Sequence, residues 1–211
     1  MTNTLTMQDC TISPTTSDLG LFTEEGKDLK VEILGNNNIT ARDGCIMLYG
    51  KSIIGGSGTL NVTCSNNTAI FARTPSLTIE GIRLIVEGDW SGITGFDGQT
   101  EVITLRNAYV EVTGGLGSID DIKDLVLEGC SIVQPKGAAF DATLKCVALN
   151  GEKVTDKVVI EPDASGINDI TVDVPARKKG IFTVQGVKQT QSWNELPAGI
   201  YIVDGVKRVK K

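Results

Sequence analysis

The sequence predicts an all-β fold: a short right-handed single-stranded parallel β-helix of about five turns, three strands per turn, followed by a small antiparallel unit. Three observations predict it. Short alternating apolar patterns recur in a fixed order. Their spacing is nearly constant. Glycine and asparagine cluster between them, and the composition (24 Gly, 5% aromatic) suits many short strands joined by tight turns.

The first pattern occupies residues 29–33, 52–54, 77–79, 103–105 and 125–127. The second occupies 39–41, 60–62, 84–86, 110–112 and, more weakly, 132–134. The third, a small residue followed by an aliphatic one, falls at 45–46, 69–70, 92–93, 115–116 and 138–139. The first two patterns advance by 21–26 residues and the third by 23 or 24, so all three stay in phase. An antiparallel sandwich gives no reason for such a period, whereas a coil does. Each turn is unable to bury its apolar edge alone, and stacking supplies the core.

Alternation along a strand sends every second side chain inward. The expected inward stacks are Ile33/Ile54/Ile79/Leu105/Leu127, Ile39/Leu60/Leu84/Val110/Ile132 and Ile46/Ile70/Ile93/Leu116/Ala139. Residues 1–28 read as an N-terminal cap and 29–161 as the β-helix with a closing hairpin. That hairpin is expected to join 144–149 to 157–160 through Asn150-Gly151, a favoured tight-turn pair. Residues 162–179 read as a linker and 180–211 as a strand-rich tail with a second hairpin signal at Asp204-Gly205.

Charge and composition narrow the function. The formal net charge is −6, from 20 basic and 26 acidic residues, which disfavours a nucleic-acid partner. There is no histidine, so Ser-His-Asp and Cys-His catalysis and histidine-ligated metals are excluded. The five cysteines form no Cys-x-x-Cys pair and their odd count suggests mainly free thiols; Cys45, Cys64 and Cys130, inside the repeat, read as small core fillers, and neither a metal nor a cofactor is expected. No apolar run reaches the roughly 20 residues of a membrane-spanning helix. No signal peptide is visible, so the chain is expected to be cytosolic or a mature form. Oligomeric state has no signature here.

The repeat around 28–41 and 52–62 resembles a β-helical, carbohydrate-binding-domain-like family of secreted and surface proteins common in Bacteroides-type bacteria. The tail, at 182–187 and 196–207, is similar to the end of C-terminal secretion and sorting domains of the same group, over a shorter length than a full sorting domain. The resemblance implies an exported protein, at the cell surface or in the periplasm, with a glycan or a surface protein as partner. Fold by itself does not give the function.

Sugar binding needs an exposed aromatic plane with planar polar groups beside it. Trp90 and Asp89 stand in the corner between second and third strands, and the same corner of earlier turns carries Arg42, Asp43, Asn66 and Asn67. These six are the candidate ligand-binding residues. A lone tryptophan more often packs than binds, so the expectation for Trp90 itself is that it folds back onto the coil. Trp193 is expected to anchor the tail by burial. Polysaccharide lyases and hydrolases need clustered carboxylates with a base, and one outward column, Glu80, Arg106 and Glu128, has that composition. It reads as a solvated charge ladder, and Asp120, Asp121 and Asp124 read as a solvated acidic corner. No catalytic residue is therefore assigned. The leading expectation is a non-enzymatic binding module, with an adhesive protein-interaction module and a carbohydrate-active enzyme as alternatives.

Overall fold

The computed structural model describes residues 3–15, 19–163 and 180–211. Among these, the first of two compact units is a parallel β-solenoid with three faces. Its first turn is β1 (Asn3–Gln8), β2 (Thr11–Ile12) and β3 (Leu19–Phe22). The second is β4 (Leu29–Leu34), β5 (Asn36–Ala41) and β6 (Gly44–Leu48); the third is β7 (Ser52–Gly56), β8 (Thr59–Cys64) and β9 (Ile70–Ala72). The fourth is β10 (Ser76–Glu80), β11 (Arg83–Gly88) and β12 (Ser91–Thr94); the fifth is β13 (Val102–Arg106), β14 (Tyr109–Gly114) and β15 (Gly117–Asp120). Each strand pairs in parallel with its counterpart one turn away.

The predicted architecture holds, with the turns displaced by one. The segment expected to be a separate N-terminal cap is itself a turn of the coil, because β1, β2 and β3 pair in parallel with β4, β5 and β6. Met7, buried against Ile33, extends the core into it.

At the other end the parallel order stops. β16 (Asp124–Glu128) still pairs with β13, but β17 (Cys130–Gln134) does not reach β14. The strands β18 (Ala139–Asp141), β19 (Cys146–Leu149) and β20 (Glu152–Lys153) form a separate antiparallel sheet. Then β21 (Val158–Pro162) runs antiparallel between β14 and β17. Its Val158 and Ile160, both fully buried, sit opposite Val112 and Val110, so the core columns continue while the exposed parallel edge is covered. Asn150 and Gly151 do form a tight turn, with φ of 55° and 82°, but it joins β19 to β20 rather than to 157–160.

Three expected stacks need correction in register. On the first face Val31, not Ile33, aligns with Ile54, Ile79, Leu105 and Leu127, while Ile33 aligns with Gly56. On the second face Ile39 stacks on Val62, and Asn37 occupies the column of Leu60, Leu84 and Val110. Asn37 is fully buried, yet its amide is used: Nδ2 donates to the Leu34 carbonyl at 2.9 Å, and Oδ1 accepts from the Cys10 backbone N–H at 3.2 Å. On the third face Leu21, Ile46, Ile70 and Ile93 are followed by Ile119, which is buried. Leu116 is 61% exposed and Ala139 is also exposed, because the chain turns inward only after the Gly114-Gly115 corner and because β18 leaves the coil. Leu127 and Ile132, next to the irregular end, are half-buried.

The second unit is a four-stranded antiparallel sheet in the order β23-β22-β24-β25, formed by β22 (Ile181–Thr183), β23 (Lys188–Gln189), β24 (Gly199–Val203) and β25 (Val206–Lys210). The Asp204-Gly205 hairpin has φ of 50° and 80°, as its sequence requires. Trp193 is half-buried and edge-on to Tyr201, ring centroids 5.9 Å apart, so it anchors the sheet. Most of the expected linker, from residue 164 to 179, lies outside the described residues.

Candidate functional site

The corner between the second and third faces forms a ridge stitched by the backbone from turn to turn. The Ser65 N–H donates to the Ala41 carbonyl, Trp90 N–H to the Asn67 carbonyl at 3.2 Å, and Leu116 N–H to the Trp90 carbonyl at 2.6 Å. Tight corners of this kind leave side chains little room inward, and they project to one flank or the other. The ridge has a different groove on each flank.

The flank toward the third face carries a groove of about 460 Å³. Three of the six candidates line it: Asp43, Asn67 and Trp90. Trp90 is 51% exposed, so it does not fold back and pack as its isolated position suggested. Arg42 and Asn66 support the site through Asp43: Arg42 Nε lies 3.4 Å from Asp43 Oδ1, and Asn66 Nδ2 donates to the same oxygen at 3.2 Å. Asp89 belongs to the opposite flank, where it lines a shallow depression with Ser65 and Glu87. The sequence grouping of Asp89 with Trp90 therefore does not survive, because neighbours on a sharp corner point to opposite sides.

Other groove residues were not singled out from sequence. Phe71 and Phe96 line it together with Leu116. Phe71 had a signal, since it follows the inward Ile70 and so faces outward. Phe96 lies past the end of β12, where alternation no longer applies.

Asp120, at the end of β15, does not stand in a solvated corner as its acidic neighbours Asp121 and Asp124 do. It is 2% exposed. Its Oδ2 accepts from Lys153 Nζ at 3.0 Å and from Ser91 Oγ at 3.3 Å, and Thr94 Oγ1 donates to its backbone carbonyl at 3.2 Å. Its Oδ1 is buried with no hydrogen-bond partner among the described residues. A buried acceptor without a donor is unfavourable by about 1–3 kcal/mol. Lys153 feels two opposing effects. Burial lowers its pKa, and the hydrogen bond and charge of Asp120 more than offset this, so it stands above its ordinary value.

The charged ladder is on the first face, away from this groove. Arg106 bridges Glu80 at 2.9 Å and Glu128 at 2.5 Å. The hydrogen bond and charge of Glu128, followed by those of Glu80, raise the arginine pKa further above its ordinary value. Glu32 falls in the same column, in register with Gly55, which in turn pairs with Glu80. Among the described residues no group of three or more histidine, cysteine or acidic side chains is placed to hold a metal ion. No helix among them is long and apolar enough to cross a membrane. Comparison with family models, with curated proteins and with solved structures finds no match to this chain.

Proposed function

We propose that this chain is a non-enzymatic β-solenoid module of an exported protein, acting at the cell surface or in the periplasm, and that it binds glycan in the groove beside the third face. The observation that carries the proposal is the placement of Trp90. The residue is 51% exposed and shares one groove with Phe71 and Phe96. Sugar rings offer flat C–H faces to such planes, and their hydroxyls need carboxylate and amide partners such as Asp43 and Asn67, which line the same groove.

Catalysis is left out for a physical reason. In the charged column of Glu80, Arg106 and Glu128, which resembles an acid–base set, both glutamates are paired to one guanidinium, an arrangement typical of a surface ladder. Export is supported by the resemblance of the repeats and of the tail. A second reading, an adhesive module for a protein partner, draws on the apolar residues exposed on the same groove, Leu116 at 61% and Phe96 at 53%.

A glycan array probed with the full chain and with Trp90→Ala tests the proposal. Expected is binding to at least one glycan that weakens about tenfold or more in the variant, with an unchanged circular dichroism spectrum. No binding to any neutral or acidic glycan, or binding indifferent to Trp90, sinks it. Capture of a protein partner that free glycan does not displace favours the adhesive reading instead.

A further inference from the structure

We infer that the ligand is an extended, uncharged polysaccharide lying along the coil axis, across the strands, rather than a single sugar; this rests on the glycan reading of the groove. The aromatic side chains give the direction. Phe22, Tyr49, Phe71 and Phe96 come from four successive turns and form one line, with centroid separations of 5.5, 6.2 and 6.4 Å and edge-to-face contacts. The chain has five Phe, three Tyr and two Trp, so four of its ten aromatics are spent on one outer line, and Trp90 flanks it.

The line is not explained by the core. Phe22 and Phe96, its two ends, are 52% and 53% exposed. The register explains the geometry. Phe22, Met47, Phe71, Thr94 and Asp120 share one outward column, and Tyr49 and Phe96 stand two residues beyond Met47 and Thr94. The line therefore zigzags between two columns while advancing one turn at a time, about 4.8 Å per turn. An extended pyranose chain advances by a similar amount per sugar. A chain laid along the axis thus meets a new ring at each turn, whereas a monosaccharide uses only the Trp90 end.

Charge selects among polysaccharides. Asp43, Asp120 and Asp121 line the groove, its one lysine, Lys153, is held by Asp120, and a further cation, Arg73, is spent on one face of Phe96, its guanidinium 4.0 Å from the ring centroid. Near Phe22, at the far end, Glu24 and Asp28 line a further depression with Lys27. Carboxylates accept hydrogen bonds from hydroxyls and repel uronate or sulfate groups. Neutral chains whose equatorial linkages expose flat C–H faces, such as β-1,4-linked glucan, mannan, xylan or chitin, meet both demands.

The test is calorimetric titration of the full chain with cellohexaose, mannohexaose, xylohexaose and chitohexaose, with the matching disaccharides and with hexagalacturonate. Expected is that at least one neutral hexasaccharide binds about tenfold or more tighter than its disaccharide, and that hexagalacturonate does not bind. Phe22→Ala is expected to weaken the hexasaccharide about three- to tenfold and to leave the disaccharide unchanged. Phe22 is exposed, and an unchanged melting temperature confirms that folding is not the cause. Equal affinity for short and long chains, or a hexasaccharide indifferent to Phe22→Ala, overturns the axial site and leaves a compact glycan site standing. Preference for hexagalacturonate overturns the charge argument. If the array yields ligands but none of these neutral chains binds, the inference fails alone; if the array yields none, the groove reading fails with it.

Discussion

Lys153 Nζ lies 3.0 Å from Oδ2 of Asp120, and this ion pair ties the β19–β20 hairpin to the outer side of β15. The hairpin that closes the coil is thereby joined to the floor of the groove, so end closure and site share one contact.

Lys153→Met removes the counter-charge of a carboxylate that is 3% exposed. With the lysine itself 35% exposed, a loss of about 1–3 kcal/mol is expected, less than for a fully buried pair. Urea unfolding measures it. The pH dependence has a definite sign. The lysine pKa is raised in the fold above its ordinary 10.5, so its stabilisation is fully present below pH 10.5 and fades as pH rises through the folded value. The difference between wild type and variant should therefore be flat from pH 7 to 9 and shrink above 10.5. A gap that stays constant to higher pH contradicts the pairing.

The corrected third stack separates two nearby aliphatics. Ile119→Ala, at a site 1% exposed, should lower stability by about 2–4 kcal/mol. Leu116→Ala, at a site 61% exposed, should change it by less than about 0.5 kcal/mol. Paired thermal melts decide, and the opposite ranking restores the register expected from spacing alone.

Asn37 is a polar residue in an apolar column. Asn37→Ala strips the Cys10 N–H of its partner and leaves the Leu34 carbonyl with the Asp9 N–H alone. A loss of about 1–3 kcal/mol follows if those groups stay buried. Hydrogen exchange should localise the effect to the first two turns, with faster exchange at Cys10 and its neighbours and little change in β11 or β14.

Four of the five thiols should be silent in the folded chain. Burial, reinforced by the neighbouring Cys64, pushes the Cys45 thiol up to about 12, and burial also raises Cys130 and Cys146. Thiolate is the reactive form. At pH 8 a chromogenic disulfide reagent should modify the partly exposed Cys10 first and the other four only on unfolding. Rapid reaction of several thiols in the native protein would falsify the buried assignment.

The sequence by itself determined the coil, its three faces and most of its core. Alternation along a strand and an interval near one turn are local properties, and residues such as Ile54, Ile79, Leu84 and Ile93 carry them unambiguously; all four are fully buried. The two Asn-Gly and Asp-Gly turns were legible for the same reason, since their backbone preference is local. Tertiary structure alone decided the register where corners differ in length. Val31 and Ile33 are equally apolar and equally in phase with the strand, and only pairing with β7 shows which one meets Ile54. It also decided how the coil ends, because covering an exposed strand edge depends on what else the chain has free. β21 serves there although it lies about two turns further along the sequence. The groove is the extreme case. Asp43, Trp90, Asp120 and Lys153 span more than a hundred residues, and no interval links them. The first three meet because stacking converts sequence separation into a rise of about 4.8 Å per turn, so residues remote along the chain become neighbours on one face, and Lys153 joins them from the closing hairpin through its pair with Asp120.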